Sequence, residues 1–243
     1  MRILITNDDS VNAGQLIPLI RVCQTFAEVT VVVPKQEQSA KSHSIEIRQP
    51  CEIKLRELAP GIRVWTVDST PADCVRFAVS GLKETYDLVI SGINRGYNLG
   101  RDTMYSGTLA AATEAVGKGM KAVAVSTSVK YYDQAVAHLE EILRYMEENR
   151  LFEHCPLYNI NIPVDPKGFR FTRLGGLSFS EEFVPMGDDL FFPGGKPLKA
   201  SGADPSVDTD ACALGYISVT PLLVNRTDVS VFEKLTQEKT VSV

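Results

Sequence analysis

The chain of 243 residues predicts an α/β fold: three layers, with a mostly parallel sheet covered by helices on both faces. Two observations predict it. Short runs dominated by Ile, Leu and Val recur at 2–6, 28–33, 87–92, 121–126 and 157–162, as in strands buried on both faces. The segments between them carry apolar residues at helical spacing, and this alternation implies right-handed crossovers in a parallel sheet.

Arg2–Thr6 is the first strand, and Asn7-Asp8-Asp9-Ser10 follows at once. A helix from Gln15 to Gln24 has Leu16, Leu19, Ile20 and Cys23 on one face. The acidic pair therefore lies in a strand-to-helix connection at the carboxyl edge of the sheet, where open α/β folds bind ligands. Glu28–Val33 is a β-branched strand ended by Pro34, and Lys35–Ser44 is a polar loop with Ser39, Ser42 and Ser44 around His43. Ile45–Ile53 and Arg63–Val67 alternate apolar and polar residues, predicting half-exposed strands of an antiparallel side element. Thr70 can cap the next helix and Pro71 suits its first turn. Its apolar face uses Cys74, Val75, Phe77, Ala78 and Leu82. A strand over Asp87–Gly92 leads into a long Asn- and Gly-rich loop, Asn94–Thr108, and then an Ala-rich helix, Thr108–Val116. Lys121–Ser126 is a strand, Tyr132–Asn149 an amphipathic helix, and Leu157–Ile162 a strand closed by Pro163.

Beyond residue 165, Gly and Pro interrupt any long element. The aromatic segment Phe169–Ser201 predicts hairpins projecting from the body. Ala213–Val219 returns as a strand, and Asp228–Gln237 is a short helix capped by Thr227 or Asp228. Residues 1–243 thus read as one domain: a body (1–165), an arm region (166–212), and a returning strand with a tail (213–243). Arm and tail are expected to serve contacts between copies, with a plain surface loop as the alternative.

Composition removes several classes. A formal net charge of −5 argues against binding nucleic-acid backbones. Charged residues interrupt the N-terminal apolar run too early for a signal peptide, and no stretch approaches the ~20 apolar residues of a membrane span. The five cysteines are scattered and lack Cys-x-x-Cys spacing, as expected of reduced thiols in the cytoplasm. Three histidines make a histidine-built metal centre improbable.

Three loops should meet at the carboxyl edge, carrying Asn7, Asp8 and Asp9; Ser39; and Ser91-Gly92-Ile93-Asn94 on to Asn98. All supply oxygen ligands. Adjacent carboxylates stay ionised most easily beside a cation, and hard divalent ions prefer oxygen. Taken alone, Asn7–Ser10 reads equally as an Asx-rich capping loop. Tyr105-Ser106-Gly107-Thr108 opens the Ala-rich helix, whose free N–H groups and partial positive charge suit a phosphate. A simple Ser or Thr cap is the alternative. The P-loop spacing is missing, and Gly92–Gly100 lacks the dinucleotide spacing and its downstream acid, which disfavours a nicotinamide enzyme.

These blocks resemble, in collinear order, those of the SurE family of stationary-phase survival proteins, which are nucleoside-monophosphate phosphatases. The resemblance rests on Met1–Ser10, Gln38-Ser39-Ala40 with His43-Ser44, Ser69–Val75, and Ser91–Gly96. It continues through Tyr105–Thr108, Asn159–Pro163, and Thr209-Asp210 with Gly215–Leu222. It implies a Rossmann-like body, and one divalent cation (Mg²⁺ or Mn²⁺) per subunit held by Asp8, Asp9, Ser39 and Asn94. It also implies a homodimer or homotetramer built through an extended hairpin and an exchanged C-terminal segment. The chain departs from the family pattern at Ser10, Gln38, Ser42 and Ser69, where Gly, Arg, Gly and Gly are usual. None of these positions removes a metal ligand.

The implied reaction is hydrolysis of nucleoside 5′- and possibly 3′-monophosphates by a metal-activated water. Asp8 would also orient that water or take its proton, while Asn7, Asn98, the hydroxyls of Ser106 and Thr108, and the amides near Gly92 and Gly107 would hold phosphate oxygens. An aspartyl-phosphate route needs a second Asp two residues after the first, which adjacent Asp8 and Asp9 do not supply. His43 could assist as a general acid or serve as a hydrogen-bonding spacer, and Asp210 could cap the turn that follows it. The competing class is a nucleotide or phosphometabolite sensor that binds without turnover.

Overall fold

The computed structural model describes residues 1–238. β1 (Arg2–Thr6) sends Ile3 and Ile5 into one core and Leu4 into the other, which is why its apolar run has no polar face. α1 (Leu16–Gln24) covers the first core, and β2 (Glu28–Pro34) pairs parallel to β1. β3 (Ile53–Ala59) and β4 (Ile62–Val67) form an antiparallel pair, and β4 also lies parallel to β2. α2 (Pro71–Arg76) starts with Thr70 Oγ1 accepting from the Asp73 amide and continues as a π-turn over Phe77–Gly81. β5 (Leu88–Arg95), α3 (Gly107–Gly117), β6 (Lys121–Thr127), α4 (Leu139–Glu148), the short α5 (Leu151–His154) and β7 (Leu157–Ile162) follow. α2 and α3 cover the second core with Cys74, Val75, Ala111, Ala112 and Ala115.

The main sheet runs β3-β4-β2-β1-β5-β6-β7-β11-β8, where β8 is Phe169–Phe171 and β11 is Ile217–Pro221. From β4 to β7 every neighbouring pair is parallel. Counted along the chain, these six strands stand third, second, first, fourth, fifth, sixth, which is the Rossmann order. The strand order reverses between β1 and β5, so the crevice outside their carboxyl ends is where this topology places a ligand.

Several elements differ from the sequence reading. Residues 45–52 form no strand; Pro50 lacks the N–H a ladder requires, and the Glu46 carboxylate accepts from the amides of Arg48 and Gln49. The strand is Ile53–Ala59 instead, and with its partner it extends the main sheet, not a side element. β5 runs through Asn94, which the sequence placed in a loop, with an irregularity between Ser91 and Asn94. The helix expected over 132–149 winds as a 3₁₀ segment, Val129–His138, before becoming α4. The returning strand starts four residues late, because α6 (Asp208–Ala213) precedes it and Gly215 turns at φ 86° between them.

β9 (Glu182–Gly187) and β10 (Leu190–Gly194) make a separate hairpin. Asp188 and Asp189 both have positive φ (49° and 59°), as in the turns that match strand twist. Phe183, Met186, Leu190, Phe191 and Phe192 are exposed on it. α7 (Val229–Glu238) is capped by Asp228, whose Oδ1 accepts from the Val231 amide at 3.0 Å, and exposes Val229, Val231, Phe232 and Leu235. No described helix is long and apolar enough to cross a membrane.

Candidate metal and phosphate site

The crevice at the β1–β5 reversal is built from the segments following β1, β2 and β5 together with the start of α3. Asp8 is 4% exposed. Its Oδ1 accepts from the Thr108 hydroxyl at 2.7 Å, and its backbone carbonyl accepts from the Gln38 amide at 2.8 Å. The second bond ties the Ser39 loop to the acidic pair. Asp9, half-buried, uses Oδ2 to accept from the Arg95 amide at 2.9 Å, which ties Asn94 to the same point. Backbone bonds thus draw together three segments distant in sequence.

Electrostatics mark the pair. Burial pushes the Asp8 carboxyl up to about 6; the Thr108 hydrogen bond opposes this and the neighbouring Asp9 charge adds to it. Asp9 is raised too, first by burial and then by the Glu37 charge, against the Arg95 amide. Among the described residues no cation stands close enough to figure in the Asp8 balance. The Arg95 charge opposes the rise at Asp9, and an added cation would favour ionisation of the pair as a whole.

The remaining oxygens suit that charge. Asn94 spends its Nδ2 donor on the Gly96 carbonyl (2.9 Å), leaving Oδ1 free of donors among the described residues. Ser39 donates its proton to Glu37 Oε1 (2.7 Å), leaving lone pairs. Asn7 donates Nδ2 to the Ser10 carbonyl (2.9 Å), but its buried Oδ1 has no partner. Among the described residues, no cluster of three or more His, Cys, Asp or Glu could hold a metal. Any cation here must therefore rely on two carboxylates plus neutral oxygens, a donor set that fits Mg²⁺ or Mn²⁺.

α3 starts against the carboxylates. A Cβ added at Gly107 would lie 2.9 Å from Asp8 Cβ and 3.1 Å from its Oδ2. Ser106 Oγ accepts from the Leu109 amide (3.1 Å), so it caps the helix while its own proton stays free for an anion. The Thr108 hydroxyl, expected to face a phosphate, is committed to Asp8. Gly92 has φ 142° and a cis peptide to Ile93, and a Cβ there would meet the Val125 carbonyl oxygen at 2.3 Å. Asn98 is set deeper than expected. Its amide donates to Ser126 Oγ, and its backbone bonds Asn161 and Asn159, all within 3.0 Å.

Two departures from the SurE pattern fall at left-handed backbone: Ser10 (φ 73°) and Ser42 (φ 54°), where glycine is unstrained and other residues pay ~1 kcal/mol or more. Ser69 donates to Asp73 Oδ2 at 2.6 Å. His43 Nε2 lies 3.0 Å from Glu114 Oε2 on α3, a spacer's position. Asp210 caps the turn before it, not the one after: Ser201, Gly202, Ala203 and Asp204 all donate to its carboxylate, holding it down to about 2. The sequence reading passed over Asp208, which is fully buried and accepts from the Gly100, Gly175 and Thr209 amides. Its signal was the closely spaced acids ahead of β11.

Fold and site together define a class: a Rossmann-type α/β protein whose switch-point crevice sets an oxygen-only candidate cation site against a helix N-terminus. Residues 3–181 match the family model described as Survival protein SurE. The chain is 39% identical to the 5′-nucleotidase SurE of Gemmatimonas aurantiaca, covering 98% of each chain. It is 38% identical to that of Desulforudis audaxviator, covering 97% of this chain and 96% of that one. The crystal structure of the SurE protein from Aquifex aeolicus superposes with a TM-score of 0.80 at 28% identity, covering 98% and 99% of the two chains. The chain belongs to the SurE family.

Proposed function

We propose that this protein is a 5′-nucleotidase that hydrolyses nucleoside 5′-monophosphates, and 3′-monophosphates in the same crevice, using one Mg²⁺ or Mn²⁺ per subunit. The carrying observation is the buried Asp8, raised to about 6 and fixed by Thr108 at the start of α3, with Asp9 beside it. Asp8, Asp9, Ser39 and Asn94 are the residues that would hold the cation. When bound, the ion polarises a phosphate oxygen and acidifies water.

The protein's own groups do the rest. The amides opening α3 and the Ser106 hydroxyl receive the phosphoryl oxygens, which carry more charge as the ester bond breaks. Asp8, with one oxygen held by Thr108, orients the attacking water and takes its proton. Water oxygen bonds to phosphorus, the P–O ester bond breaks, and the proton taken by Asp8 passes through solvent to the leaving oxygen, so that the nucleoside departs as the alcohol.

The apolar hairpin tip and α7 support self-association as a homodimer or homotetramer, since exposed patches of this kind mark interfaces. The free cysteines support a reducing, cytoplasmic setting, and the net charge of −5 disfavours nucleic-acid partners. Phosphate release from nucleoside monophosphates with and without Mn²⁺, for the wild type and Asp9→Ala, tests the proposal. Metal-dependent release by the wild type that falls at least about 100-fold in the variant is expected. Nucleotide binding without turnover would replace hydrolysis by a sensor role.

A further inference from the structure

The arm is bolted to the catalytic crevice as well as to the sheet. Its root, residues 175–179, meets the 3₁₀ turn Gly100–Tyr105, which runs directly into Ser106 and α3. The buried Asp208 joins the two: Oδ2 accepts from the Gly100 amide and Oδ1 from the Gly175 amide, both at 2.8 Å. Asp102, inside the turn, accepts from the Ser178 and Phe179 amides at 2.7 and 3.1 Å, both on Oδ2. Arg101 N donates to the Gly176 carbonyl at 3.0 Å. The two backbones pack so closely that a Cβ at Gly100 would lie 1.8 Å from the Gly176 oxygen. At the other end of the turn, Met104 and Tyr105 carbonyls accept from Ser42, at 2.5 Å from its hydroxyl and 3.0 Å from its amide. The turn is thus gripped by the arm root on one side and by the Ser39 loop on the other.

We propose that Asp102 and Asp208 are positioning residues: by clamping the arm root to Gly100–Tyr105 they set where Ser106, Gly107 and the α3 amides present themselves to phosphate. This rests on reading Ser106–Thr108 as the phosphate end of the site. The clamp bears first on the anion end: the cation ligands hang from β1, β2 and β5 and meet the turn and α3 through Ser42 and through the Thr108 bond to Asp8.

The acceptor pattern gives an asymmetric test. Asp102 uses one oxygen, so Asp102→Asn can rotate its carbonyl into place and keep both bonds. Asp208 uses both oxygens, so Asp208→Asn must point an NH₂ group at a backbone N–H. Inorganic phosphate as a competitive inhibitor of nucleoside-monophosphate hydrolysis reads the anion end, Mn²⁺ affinity by electron paramagnetic resonance reads the cation end, and Tm reads overall stability. Asp102→Ala and Asp208→Asn should each raise the phosphate Ki by about tenfold, with Mn²⁺ affinity within about twofold of wild type and Asp102→Asn near wild type in both. Asp208→Asn binding phosphate like wild type overturns the proposal. So does a Ki that rises only in step with a loss of Mn²⁺ affinity and Tm. Should Asp208→Asn fail to fold, the Asp102 pair decides alone: equal Ki values for Ala and Asn refute the clamp. Ser106→Ala separates the two layers of inference. If it leaves the phosphate Ki unchanged, the phosphate reading falls; if it raises Ki while Asp102→Ala does not, only the clamp falls.

Discussion

Replacing Asp8 by Asn tests whether the acidic pair is a stored electrostatic cost that a cation relieves. The folded carboxyl titrates at about 6 against an ordinary 3.8, so the folded state holds the proton more tightly than the unfolded chain. Its contribution to stability is therefore fully present below pH ~4 and lost as pH rises through about 6. At ~1.36 kcal/mol per pH unit, ionised Asp8 costs the metal-free protein roughly 3 kcal/mol at neutral pH. Asn can still accept the Thr108 proton but carries no charge. In chelator-treated buffer at pH 7.5, Asp8→Asn should melt higher, by ~6–12 °C at the ~2–4 °C per kcal/mol of a chain this size. The advantage should shrink toward zero at pH 4. Excess Mn²⁺ should raise the wild-type Tm, by ~2.7 kcal/mol of stability at 100 times Kd, and leave the variant's Tm unmoved. Hydrolysis should be lost. A variant that melts at or below wild type at pH 7.5, or a Tm difference flat with pH, would refute the reasoning.

Further outcomes follow from the same geometry. Gly107→Ala places a methyl 2.9 Å from Asp8 Cβ and 3.2 Å from Pro71 Cγ, displacing the carboxylate; kcat/KM should fall ~10- to 100-fold, read in a steady-state phosphate-release assay. Thr108→Val removes the hydrogen bond that lowers the Asp8 pKa, so in the metal-free protein the Asp8 titration, followed by carboxyl NMR, should move above about 6. His43→Ala breaks only the contact to Glu114 and should cost less than ~10-fold in kcat, whereas a general acid would cost ~100-fold or more. Phe183→Ser with Phe191→Ser on the exposed hairpin should lower the mass measured by light scattering if the arm joins copies.

The body was legible because its signals are local. Ile3, Leu4 and Ile5 announce a strand buried on both faces, and Thr70-Pro71 announces a helix start; each was found within a residue or two. Where the reading slipped, a longer-range or backbone effect decided. Alternation over 45–53 predicts a strand, but Pro50 has no amide to give a ladder and the Glu46 carboxylate takes those of Arg48 and Gln49. Gly215 and the acids at 208 and 210 marked a helix and turn ahead of β11 that apolar pattern alone could not show.

At the site, sequence could supply residue types but not directions. The family resemblance pointed to Asp8, Asp9, Ser39 and Asn94, yet nothing in the chain says that Thr108 spends its proton on Asp8 or that Asn98 turns inward to Ser126. Those choices depend on bonds spanning 100 and 28 residues. The distinction matters for the chemistry. A Thr108 hydroxyl aimed at phosphate would stabilise bound anion and leave Asp8 to burial alone; aimed at Asp8, it holds one oxygen still and leaves the other available. In the metal-free protein burial raises the carboxyl toward neutrality and the hydrogen bond opposes the rise, leaving it at about 6. Asp8 is thus set by two opposed effects, while at Asp9 the Arg95 charge already opposes burial, and a cation in the crevice would favour ionisation of both.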